Sequence, residues 1–267
     1  MGADNTAHEL LGEVQALLRF QGELGLESLR TPEDFLEVPE PIQTPARVVP
    51  SSFMPSEKPA VPKAQPTASS TDSLCGMRLT GGALDSIIHE IGPCQRCELH
   101  KRRSNIVFGV GNPNARLMFV GEGPGRDEDL QAEPFVGKAG KLLDKMIGAM
   151  GLQRRDVYIA NIVKCRPPRN RDPEPHEVEQ CEPFLRQQIE VIKPEVLVAL
   201  GRYAAQALTR DSTPISKMRG QWMEYEGIPL MPTFHPAYLL RNAAGKRPVW
   251  NDLQDVMKRL GMSLPQK

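Results

Sequence analysis

Leu117-Met118-Phe119-Val120-Gly121-Glu122-Gly123-Pro124-Gly125 runs from four consecutive apolar residues straight into a glycine-rich turn. A short apolar run without polar alternation reads as a strand buried on both faces, and a Gly/Pro cluster ends it. The pattern recurs. Val157 to Val163 is a second such strand and Val196 to Leu200 a third, while Trp222 to Tyr225 and Ile228 to Met231 supply further strand around Glu226-Gly227. Helical periodicity fills the gaps. One helix runs from about Ala139 to Met150, with Leu142, Leu143, Met146 and Ile147 inward and Gly151 as its stop. A second spans about Pro175 to Ile192, where Pro183 is expected to kink it, a third opens at Gly201, and a last covers about Val249 to Leu260. Buried strands alternating with helices predict an α/β fold, a central and mainly parallel β-sheet with helices on both faces. In such sheets a ligand sits at the carboxyl ends of the strands, after Val120, Val163 and Thr233.

Working outward, the folded body is expected over 82–264, opening with the helical stripe Leu84, Ile87, Ile88 and Ile91. Residues 1–81 read as an N-terminal extension. A short amphipathic helix at about 8–21 is followed by a linker with 8 prolines in the 28 residues from Pro39 to Pro66, too poor in apolar surface to order itself. Net charge over the 267 residues is zero, but residues 1–80 carry 6 basic against 11 acidic side chains and the remainder 27 against 22. A modestly basic body is compatible with a nucleic-acid partner. No stretch suits a membrane span and the first residues lack the pattern of a secretory signal, so a cytoplasmic, monomeric protein is expected, with a protein partner conceivable for the N-terminal helix.

The chain has 5 cysteines. Cys94-Gln95-Arg96-Cys97 lets two thiolates face one ion, Cys165 follows the second strand, and Cys181 lies on the next helix. Four thiolates suit zinc or an iron–sulfur cluster, and equally these could be small core residues. The 67 residues between Cys97 and Cys165 do not resemble a local zinc ribbon. Cys75 is left over, and His176 could serve as an alternative ligand.

Gly121-Glu122-Gly123-Pro124-Gly125 has neither the spacing of a dinucleotide-binding loop nor the Lys-Ser or Lys-Thr of a triphosphate loop. It presents one carboxylate, Glu122, at a strand's end. Phe135, in the loop Glu133-Pro134-Phe135-Val136-Gly137, is either a packing anchor or a stacking platform for a base. Asn161 falls within an apolar strand, where its amide needs partners and could read a base edge. His235-Pro236 follows Thr233-Phe234 at another strand's end.

Taken in order, these motifs resemble the family-4, iron–sulfur uracil-DNA glycosylases of the uracil-DNA glycosylase superfamily. The resemblance covers about Gly82 to Gly261. It rests on Cys94-x-x-Cys97, Gly-Glu-Gly-Pro-Gly with Arg126-Asp127-Glu128, Pro-Phe-Val-Gly around Phe135, Asn161-Ile162-Val163-Lys164-Cys165-Arg166-Pro167-Pro168, Cys181, and His235-Pro236-Ala237-Tyr238-Leu239-Leu240-Arg241.

The resemblance implies excision of uracil from DNA and a [4Fe–4S] cluster on Cys94, Cys97, Cys165 and Cys181. It also implies that Glu122 positions the attacking water, His235 faces the uracil O2, Phe135 stacks on the flipped base and Asn161 bonds its edge. Gly123 would line the same site, and Glu128 would stand where a thymine methyl is refused. Leu239 and Leu240 belong to the segment expected to wedge into the base stack. Phosphates would be held by Lys164, Arg166, Arg169, Arg171 and Arg241, with Lys101, Arg102, Arg103, Lys246 and Arg247 as further basic groups. Two rivals are a uracil-DNA trap without turnover and a non-enzymatic iron–sulfur scaffold. The trapping relatives carry a Lys-Arg-Arg-Ile-His loop where this chain has Arg169-Asn170-Arg171-Asp172-Pro173.

Overall fold

The computed structural model describes residues 82–264, together with the backbone of Ser73–Leu74 (β1) and Met77–Arg78 (β2), which pair as a short antiparallel hairpin. The expected helix at 8–21, the proline-rich linker and Cys75 lie outside the described residues. Strands β3 (Val110–Gly111), β4 (Leu117–Gly121), β5 (Tyr158–Asn161), β6 (Val196–Leu200), β7 (Met223–Tyr225) and β8 (Ile228–Thr233) form one six-stranded sheet in the order β3-β5-β4-β6-β8-β7. The inner strands β5, β4, β6 and β8 are parallel, and the edges β3 and β7 pair antiparallel. The α/β sheet is as expected. The two-residue edge β3 was not, because Val110-Gly111 is too short to carry a periodic signal.

The helices are α1 (Leu84–Ile91), α2 (Arg126–Gln131), α3 (Lys138–Ala149), α4 (Pro175–Ile192), α5 (Arg202–Thr209), α6 (Ile215–Met218), α7 (Pro236–Leu239) and α8 (Lys246–Arg259). Alternate residues of each strand serve opposite layers. Met118, Val120, Ala160, Leu197 and Ala199 pack with α1, α4 and α5 on one face. Leu117, Phe119, Ile159, Val198 and Met231 pack with α3 and α8 on the other. Each buried Leu, Ile, Val, Phe or Met side chain among them contributes about 1.5–3 kcal/mol relative to exposure, which fixes the register of every inner strand. Helix α4 runs without a break through Pro183, opened by a capping box between Glu174 and Glu177.

Register places Gly121 beside Asn161 and Leu200 beside Thr233. The carboxyl ends of four parallel strands therefore finish along one edge of the sheet. The residues that leave that edge build the site.

Candidate active site

A cavity of about 620 Å³ opens at this edge. Glu122 enters it from the end of β4, Asn161 from the last residue of β5, and His235 from just beyond β8. Gly123, Glu128 and Phe135 also line it. All six residues expected to contact a base or perform chemistry thus share one cavity, although 113 positions separate Glu122 from His235.

Asn161 is 2 % exposed, and its Oδ1 is a buried side-chain acceptor with no hydrogen-bond partner among the described residues. Leaving such an atom unsatisfied costs about 1–3 kcal/mol, so its partner is expected to be a ligand or water. The ring of Phe135 lies 5.6 Å from that of His235, centroid to centroid, with the planes inclined by 31°. Phe135 adopts a left-handed φ of 54°, a conformation that costs a non-glycine residue about 1–3 kcal/mol and persists only when its surroundings impose it. Part of that imposition comes from Glu128, whose Oε1 accepts the N–H groups of Val136 (3.0 Å) and Gly137 (2.9 Å). Two glycines permit the close approach. A Cβ on Gly121 would lie 2.5 Å from Phe135 Cζ, and one on Gly201, where φ is 90°, would lie 2.8 Å from His235 Cβ.

His235 Nδ1 accepts the Ala237 N–H at 3.1 Å. With Nδ1 acting as acceptor, the ring proton resides on Nε2. Burial, with the nearby Arg241 charge adding to it, pushes the His235 pKa down to about 4, so the imidazole is a neutral donor at neutral pH. Glu122 shifts the other way. Burial chiefly, and then the Asp172 carboxylate, raise it to about 7, while Arg202 opposes the rise. Asp172 also accepts from the Tyr203 hydroxyl and from Arg202 Nη2 at 3.4 Å. Sequence reasoning missed this ring of Asp172, Arg202 and Tyr203, since no local motif marks residues that converge from a loop and from the start of α5.

The thiols of Cys94, Cys97, Cys165 and Cys181 are unbridged. They gather where α1, the loop after β5 and α4 meet, and they influence one another electrostatically: Cys165 feels Cys97 and Cys94, and Cys181 feels Cys165 and Cys97. Burial pushes Cys165 up to about 11 and Cys181 up to about 12. Their sulfurs accept hydrogen bonds at 3.2 Å, Cys165 from Arg103 Nη1 and Cys181 from the Lys164 N–H. Among the described residues no three His, Cys, Asp or Glu side chains are grouped to hold a single metal ion. His176 is exposed.

The comparisons with known proteins agree with this geometry. A model of the uracil DNA glycosylase superfamily matches residues 108–254. Over 191 residues the chain is 46% identical to the type-4 uracil-DNA glycosylase of Archaeoglobus fulgidus, an alignment covering 68% of this chain and 96% of that protein. It is 45% identical over 175 residues to the type-4 enzyme of Thermotoga maritima, covering 64% and 91% respectively. The chain belongs to the uracil-DNA glycosylase superfamily, in its type-4 branch. A type-5 uracil-DNA glycosylase of Pyrobaculum aerophilum is more distant, at 31% identity over 211 residues.

Membership does not rescue every expected contact. Lys164, expected on a phosphate, is fully buried; its Nζ donates to the Asn161 carbonyl (2.9 Å) and to Gln188 Oε1 (2.6 Å). A basic residue in a Lys-x-Arg run looks like surface, but in the loop after β5 this side chain folds inward against Gln188 of α4. Leu239 is likewise no wedge, being 2 % exposed and packed in the core, whereas Leu240 is 51 % exposed. Arg171 lines the cavity but spends its guanidinium on a two-point pairing with Glu177 (2.6 and 2.8 Å). Lys246 is buried, and Arg103 is committed to Cys165. Arg102, Arg166 and Arg169 line a groove that shares Pro167 with the cavity, and Arg241 lines the cavity itself. No described helix is long and apolar enough to cross a membrane.

Proposed function

We propose that the chain flips uracil out of DNA and hydrolyses its N-glycosidic bond, leaving an abasic site. The observation that carries this reading is the orphaned Asn161 Oδ1, buried beside an aromatic face and a neutral histidine donor. Uracil presents an N3–H donor next to the O4 acceptor, and a primary amide matches that pair with one acceptor and one donor. Cytosine offers no N–H at that position. Phe135 supplies the stacking face, which offsets part of the cost of unstacking the base. Glu128, which lines the same cavity, would stand where a C5 methyl has to enter.

As the bond between N1 and C1′ breaks, the electron pair leaves with uracil and positive charge develops on the sugar. The Nε2–H of His235 donates toward O2, where negative charge accumulates; such a preorganised donor is worth about 10²–10³ in rate. Glu122 in its carboxylate form faces the opposite charge and accepts a proton from the water that adds at C1′. Exposed Leu240 fills the gap left in the stack, while Arg166, Arg169 and Arg241 hold the backbone phosphates without regard to sequence.

Cys94, Cys97, Cys165 and Cys181 would hold a [4Fe–4S] cluster. Four cysteine thiols drawn from three parts of the chain, with two N–H···S bonds and the nearby Lys164 charge, are compatible with an iron–sulfur core. When bound, the cluster cross-links the start of the domain to the loop after β5, and glycosidic hydrolysis asks no electron of it.

Uracil release from single- and double-stranded oligonucleotides tests the function. Turnover that falls sharply in Glu122→Gln, Asn161→Ala and His235→Ala supports it. A stable adduct or no release by the unaltered chain would overturn it.

A further inference from the structure

The loop that carries Phe135 is held from two sides, and only one hold belongs to the cavity. On the cavity side, Glu128 takes the N–H groups of Val136 and Gly137. The second hold is Arg154, in the short turn Arg154–Asp156 that leads into β5. Its Nη1 donates to the Phe135 carbonyl (3.3 Å) and to Asp144 Oδ1 (2.9 Å), its Nη2 to the Pro134 carbonyl, and its Nε to Glu133 Oε1 (3.3 Å). Arg154 is absent from the cavity lining. The same Phe135 carbonyl is pressed by α3, where a Cβ on Gly140 would come within 1.8 Å of it.

These contacts converge on a peptide in a left-handed conformation that would relax if released. A planar guanidinium can fork to two consecutive carbonyls and still meet two carboxylates, which an ammonium cannot do. The turn bearing it continues into the strand that ends at Asn161. The stacking ring and the edge-reading amide are thereby tied to one another through a residue that touches neither the base nor the reacting atoms.

We infer that Arg154 is a positioning residue for base recognition: its grip on the Pro134 and Phe135 carbonyls sets the Phe135 ring over the base whose edge Asn161 reads. The inference rests on the uracil reading above. Glu133 and Asp144, 43 % and 44 % exposed at their side chains, orient the guanidinium and are themselves secondary.

The test is a double-mutant cycle on uracil release from a single-stranded oligonucleotide, with wild type, Arg154→Ala, Phe135→Ala and the double variant. Arg154→Ala is expected to lower kcat/KM by about 10- to 100-fold, the range that loss of a base–aromatic stack produces. The loss should fall mainly on KM, raise the inhibition constant of free uracil by a similar factor, and add nothing in the Phe135→Ala background. Arg154→Lys keeps the charge beside Glu133 and Asp144 but not the fork, so it should melt near the wild-type temperature while retaining the KM defect. Should Arg154→Ala fail to fold, the Lys variant carries the same cycle. Additive losses, or a fall confined to kcat with unchanged uracil inhibition, would overturn the positioning role alone. Absence of release by the wild type would overturn the functional reading and this one with it.

Discussion

Gly121 and Asn161 stand side by side in register on neighbouring parallel strands, and a Cβ on Gly121 would lie 2.4 Å from the Asn161 Oδ1. The missing side chain is what leaves the amide room to point into the cavity. Gly121 has no left-handed φ, so its requirement is space and not backbone conformation.

Gly121→Ala is therefore expected to displace Asn161 and Phe135 together without unfolding the sheet. Misplacing a recognition group by about 1 Å can cost about 10²-fold in rate. Uracil release should fall by that order while far-ultraviolet circular dichroism stays unchanged. Release at the wild-type rate would mean that the cavity yields freely.

The pH profile of kcat/KM should carry an acid limb set by Glu122. Its raised pKa, about 7, means that the carboxylate form needed opposite the sugar is lost as pH falls through neutrality. Release should rise as pH increases through that value. Asp172→Asn removes a charge that raises Glu122, so the limb moves to lower pH; Arg202→Ala removes an opposing charge, so it moves higher. His235, near 4, stays neutral across the window and contributes no second limb there. A limb insensitive to both substitutions would detach it from Glu122.

Aerobically purified protein is expected to be brown, with a broad shoulder in the blue that Cys165→Ser or Cys181→Ser abolishes. Removal of the metal should lower the melting temperature, because the link it would make between the start of the domain and the loop after β5 is lost. A colourless protein holding one zinc per chain would count against the cluster.

Salt dependence separates the proposed phosphate contacts from the buried lysine. Alanine at Arg166, Arg169 or Arg241 should each reduce the slope of log affinity against log salt by about 1. Lys164→Met should leave that slope alone. It strips the Asn161 carbonyl and Gln188 of a donor inside the core, costing about 1–3 kcal/mol in urea unfolding. A reduced slope in Lys164→Met would return that residue to the DNA surface.

Much of the fold was legible because buried strands announce themselves locally. Val196 to Leu200 occupies the very span its apolar run indicates, and α4 the span from Pro175 to Ile192. Glu122 and His235 were legible for a related reason, since each follows a strand end beside a glycine or proline that marks a break in the regular structure. Lys164 and Leu239 were misjudged because their neighbours in sequence, Arg166 and Leu240, do face outward.

The order of elements, the parallel sheet and the edge at which a ligand must sit follow from the amino-acid pattern alone, since apolar periodicity and turn chemistry act over a few residues. Which of Lys164 and Arg166, or of Leu239 and Leu240, meets solvent, how Arg154 reaches the Phe135 carbonyl, and why Glu122 holds its proton near neutrality were decided only in three dimensions. Those properties depend on burial and on charges brought close from distant parts of the chain, and burial belongs to the packed molecule, not to any local stretch of it.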